Sequence, residues 1–149
     1  MAADELERYP HGISREWEDD RRIVIISTQG DMSQAAIDVW ANLVIRTVQE
    51  WPHTEPVYIL HDLSSRNQGF TPYSRKRAED TYRAVQPDQM VYIAVVLRDG
   101  FINNLISVFL RRRKGARQNI REQVFTSRFT ALDWLRGVRQ TQITSINSN

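Results

Sequence analysis

The chain contains no cysteine, which excludes disulfides, cysteine-ligated zinc and thiol catalysis. Lysine is almost missing: of 20 basic residues only Lys76 and Lys114 are not arginine. The planar fork of arginine suits carboxylates and phosphates, but genomic base composition produces the same bias, so it carries no functional reading alone. The six glycines are scattered, so there is no glycine-rich loop to cradle a phosphate. Apolar runs are short. The longest, VYIAVVL from Val91 to Leu97, falls far below the roughly 20 residues a bilayer-spanning helix requires. MAADELERYPHG at the N-terminus has no basic start followed by an apolar run, as a secretory signal would. These absences together predict a cytoplasmic protein.

What is present is an ordinary globular composition, 149 residues with 41% hydrophobic and 26% charged, enough for one domain with one core. The net charge of +2 hides a division: residues 1–20 hold seven acids against Arg8 and Arg15, leaving the excess positive charge to the rest.

Periodicity sets the element order. ISREWE (13–18) alternates like a half-exposed strand, and Asp19–Arg22 reverses the chain into the apolar strand RIVIIST. Asp31 with Gln34 predicts a capped helix whose stripe is Ile37, Trp40, Val44, Val48 and Trp51, stopped by Pro52. PVYILHDL is a third strand. Thr71-Pro72 opens a short, sparsely apolar helix. MVYIAVVL is the predicted central strand, and FINNLISVFLRRRKG a helix ended by Gly115. EQVFTS and a final helix bearing Ala131, Leu132, Trp134, Leu135 and Val138 complete the order ββαβαβαβα. The expectation is an α/β fold: a mostly parallel five-stranded sheet with one antiparallel edge strand and four helices. Residues 1–12 are expected to be a flexible lead-in, 13–138 the single domain, and 139–149 a disordered polar tail.

This order, the strand ending HDLS, and the close VFTSRFTALDWLRG resemble the STAS domains of the SpoIIAA-like superfamily over residues 13–138. The resemblance implies a non-enzymatic, partner-switching module in which a serine at the start of the helix after that strand is phosphorylated by a partner kinase. The equivalent position here is Thr71. The Asp-Ser-[Ser/Thr]-Gly motif of those domains is not matched, and Pro72 follows instead.

The candidate contact surface is the loop and helix start HDLSSRNQGFTPYSRKR, with Ser64, Ser65, Arg66, Thr71, Ser74, Arg75 and Arg77 as partner-binding residues. Thr71 and Ser74 are also candidate phosphorylation positions. A phosphate there would meet helix-terminal amides and nearby arginines, whereas the simpler reading makes Thr71 a helix cap. The implied partner is another protein, of kinase or anti-sigma type, bound through an acidic surface; pairing of two copies through the edge strand is a further option. Arg111, Arg112, Arg113 and Lys114 form a candidate anion-binding cluster, which suits nucleic acid on charge alone and equally suits a helix C-terminus. A second reading is a carrier or sensor of a small apolar or lipid-like ligand held between the sheet and the 101–114 helix; nucleic-acid association ranks third. No cofactor is expected. His11, His53 and His61 lack metal-ligand spacing. His61 and Asp62, adjacent on a strand, must face opposite ways and cannot form the base–orienter pair of a triad. There is no nucleophile-elbow sequence either.

Overall fold

In the computed structural model, which describes residues 5–101 and 118–148, the two strands nearest the N-terminus turn on a buried cation. Arg15 faces inward from β2 (Ser14–Glu18) and is 7% exposed. An unpaired guanidinium there would be costly. Glu7 meets it in a bidentate pair, Nε to Oε2 at 2.5 Å and Nη2 to Oε1 at 2.9 Å, while Nη1 donates to Thr47 Oγ1 at 2.9 Å. This pairing pins the lead-in as a short strand, β1 (Glu7–Arg8), antiparallel to β2.

Among the described residues the sheet therefore has six strands rather than five, and both the β1–β2 and the β2–β3 pairings are antiparallel, so β2 alone runs against the others. β3 (Ile23–Ser27), β4 (Val57–Asp62), β5 (Val91–Val96) and β6 (Ile120–Phe125) follow in sequential order as parallel neighbours. Three α-helices lie among the described residues: α1 (Gln34–Glu50), α2 (Pro72–Arg83) and α3 (Arg128–Asn147). The expected 101–114 helix lies outside the described residues, apart from a single turn at Asp99–Phe101.

Each helix begins on a hydroxyl. Ser33 caps α1, accepting from the Ala36 amide at 3.2 Å, so the helix starts two residues beyond Asp31, which instead accepts from the Ser33 amide. Thr71 caps α2 and Ser127 caps α3. α3 continues to Asn147, through the stretch expected to be a disordered tail. Hydroxyls there bond back along the helix, Thr141 to Gly137 O and Thr144 to Gln140 O, and Gln142 donates to the Tyr92 hydroxyl at 3.0 Å.

Strand alternation separates two faces. Ile13, Arg15, Ile26, Ile59, His61 and Ile93 point toward α1 and α2, which lie side by side. Tyr58, Asp62, Tyr92 and Phe125 point toward α3. Because α1 and α2 share a face and each crossover advances one strand in the same direction, the two crossovers have the same hand. No helix among the described residues is long and apolar enough to cross a membrane.

Candidate functional site

Between the sheet and the α1–α2 pair lies a cavity of about 440 Å³, within the range of small-molecule sites. Its walls come from three layers. The sheet contributes Ile59, His61, Ile93 and Val95; α1 contributes Ile37, Trp40 and Val44; α2 contributes Ala78 and Tyr82, with Val85 just beyond its end. At the carboxyl edge of the parallel strands, the usual crevice of open α/β sheets, the loops after β3 and β4 add Thr28, Met32, Gln68 and Phe70 to the lining.

Gln68 ties those two loops together. It accepts from Thr28 Oγ1 at 2.6 Å, while its amide donates to Gly69 O at 3.1 Å and approaches Met32 Sδ at 3.3 Å. Gly30 makes the approach possible. It sits at φ +83°, and a Cβ there would lie 2.8 Å from the Asn67 backbone carbon.

The roof is held by polar contacts. Only Thr81 of α2 is buried. Tyr73 donates to Asp38 on α1 at 2.5 Å, and Arg77 donates to Asn42 at 2.7 Å and Asp80 at 2.8 Å. The Asp38 carboxylate raises the Tyr73 phenol above its ordinary pKa by accepting that hydrogen bond. Arg77 Nε is 3.1 Å from Asp38 Oδ1, an ion-pair contact too poorly aligned to be a hydrogen bond.

Two rings in the cavity wall carry unsatisfied nitrogens. His61 is 8% exposed, and its Nδ1 has no hydrogen-bond partner; the same holds for Trp40 Nε1. The rings pack together, centroids 5.6 Å apart at 58°. Burial pushes the His61 pKa from 6.5 down to about 4, so the imidazole is neutral at pH 7 and offers one donor and one acceptor. At the far side, Tyr82 donates to the Glu122 carboxylate at 2.7 and 2.8 Å.

Most residues of the candidate contact surface are engaged within the chain. Thr71 and Ser74 form a reciprocal capping box, Ser74 N to Thr71 Oγ1 at 3.0 Å and Thr71 N to Ser74 Oγ at 2.9 Å. Ser64 donates to Asp62 through both amide and hydroxyl, and the Ser65 carbonyl accepts from the Gln68 amide. Arg77 belongs to the roof. Arg66 is exposed, and Arg75, also exposed, lines the cavity. Arg111, Arg112, Arg113 and Lys114 lie outside the described residues.

His61 and Asp62 do face opposite sides: Asp62 accepts from Arg128 Nε at 3.2 Å on the α3 face. No group of acids and histidines that could hold a metal occurs among the described residues. The reading of the sequence missed Trp40 and His61 as site residues. The available signal was a histidine at an inward position of an otherwise apolar strand. No protein-family model matches the chain, and no curated protein or solved structure is significantly similar to it.

Proposed function

We propose that the protein is a non-enzymatic binder of a small, largely apolar molecule, held between the sheet and the α1–α2 pair. The observation that carries this reading is the apolar cavity with an unsatisfied, buried His61 in its wall. An apolar cavity is a loss of packing contacts, and a ligand restores them. The expected location beneath the 101–114 helix lies outside the described residues; the reading here rests on the space that α1 and α2 line.

The test is titration with Nile red, an uncharged apolar dye, together with native mass spectrometry of the purified chain. Saturable fluorescence with one dye per chain, lost in Ala78→Leu, supports the reading; non-saturable binding, or binding unchanged in that variant, overturns it.

A second reading is the regulatory, protein-binding role implied by the STAS resemblance. It is favoured by one feature: the loop carrying exposed Arg66 and the first turn of α2 form the cavity's rim. A partner docked there would contact the same elements that enclose the ligand. Arg66→Glu with Lys76→Glu reverses two exposed charges without touching the roof contacts, and unchanged capture of the same partner by this variant would remove the second reading.

A further inference from the structure

Five side-chain nitrogens among the described residues are buried without a hydrogen bond, on Trp17, Trp40, His61, Arg77 and Gln89. Only two of these residues, Trp40 and His61, line the cavity. Their rings are in contact, so the two unsatisfied groups form one polar spot in a largely apolar wall. Buried polar groups are normally paired, and leaving one unpaired costs its full desolvation. A ligand group seated against this spot removes that cost.

Building on the cavity-binding reading, we infer that the ligand's polar end is an uncharged hydrogen-bonding group, a hydroxyl foremost, docked against Trp40 and His61. An indole N–H only donates, and a neutral imidazole both donates and accepts. A hydroxyl, which also does both, matches the pair in either imidazole tautomer. A carboxylate does not. Among the described residues, the charged ones lining the cavity are Asp31, Arg75 and Glu122; Asp31 and Arg75 are exposed, and Glu122 is itself an anion. The wall beside His61 thus holds no buried cation among the described residues to offset the desolvation of an anion. Burial keeps His61 uncharged at neutral pH, in line with this.

The experiment compares three probes of one shape, naphthalene, 2-naphthol and 2-naphthoate, by calorimetry with the full chain. The expected result is that 2-naphthol binds about tenfold more tightly than either other probe, the scale of one or two hydrogen bonds. His61→Phe should abolish that preference, 2-naphthol and naphthalene then binding with equal affinity. In the wild-type chain, the Trp40 indole N–H resonance, assigned with Trp40→Phe, should move on adding 2-naphthol and stay in place on adding naphthalene; this readout stands even if the histidine variant fails to fold. Equal affinity for naphthalene and 2-naphthol, or a static indole resonance, overturns the polar-spot inference and leaves the cavity reading intact. Tightest binding of 2-naphthoate overturns the uncharged character of the ligand. Binding of none of the three overturns the cavity reading itself.

Discussion

On the α3 face of the sheet, Tyr58 stacks on Tyr92 at 5.4 Å and Trp134 meets both Tyr92 and Phe125. Beneath them, Ala131 and Leu135 are fully buried. On the opposite face, the alternate residues of the same strands, Ile59, His61 and Ile93, look onto a cavity. The helices are fastened differently as well. α3 is clamped at its start by Arg128, which reaches Ser27, Asp62 and Glu16, and further along by Arg136, which reaches Glu18 and Asp19. α2 is held to α1 chiefly through Asp38 and Asn42. One sheet thus supports a packed side, which supplies stability, and a hollow side, which leaves room for binding.

The largest expected effect comes from emptying the packed side. Leu135 is 0% exposed, and Leu135→Ala should cost about 2–5 kcal/mol in denaturant unfolding, the transfer and cavity terms acting together. A loss below about 1 kcal/mol would mean that this face is looser than its ring contacts imply.

Acid should next reveal the hollow side. With the His61 pKa at about 4 in the folded chain against 6.5 ordinarily, the unfolded chain binds a proton between those values and the folded chain does not. Stability therefore falls as pH drops from 6.5, by about 1.4 kcal/mol per unit, and levels off below 4 after a loss on the order of 3 kcal/mol. Glu7, lowered chiefly by its hydrogen bond from Arg15, acts only below its ordinary 4.5. His61→Phe should flatten the profile between pH 6.5 and 4.5; an unchanged slope would place the responsible group elsewhere.

A matched pair of substitutions sharpens the contrast. Ala131→Leu, at a fully buried site on α3, should cost about 1–3 kcal/mol by overpacking. Ala78→Leu, on the cavity wall, should be neutral or stabilise by about 0.5–1 kcal/mol, as cavity-filling changes do. Equal destabilisation by both would show that the two faces are packed alike.

Much of the fold was legible in the sequence on both faces, and the cavity was not. The alternating and helical stripes through Ile26, Tyr58, Val44 and Leu135 carry their own period, so strands, helices and the sheet follow from them. β1 has only two residues, too few for a period; it exists because Arg15 needs Glu7, a cross-strand partner that no periodicity marks. The end of α3 is polar and reads as a tail, yet Gln142 finds Tyr92 50 residues away. A cavity is volume left over when helices settle on a sheet, and no residue type encodes it. Trp40 read as one more member of a core stripe, and the unsatisfied state of its nitrogen is visible only in three dimensions. The same holds for Thr71 and Ser74, whose candidate role as phosphate acceptors meets a reciprocal capping box.

The smallest expected effect separates fastening from filling. Tyr73→Phe deletes the hydroxyl that bonds Asp38 at 2.5 Å and leaves the rest of the side chain in place. Tyr73 is only partly buried, and solvent competes for its hydroxyl, so the stability loss should be small. Its effect should appear in kinetics. If the hydroxyl holds α2 over the cavity, weakening that hold raises the rates at which Nile red enters and leaves by a similar factor, with little change in affinity, because the contacts inside the cavity are untouched. Stopped-flow mixing measures both rates. Unchanged rates alongside the expected small stability loss would make the Tyr73–Asp38 bond a surface tie only, with entry to the cavity independent of it.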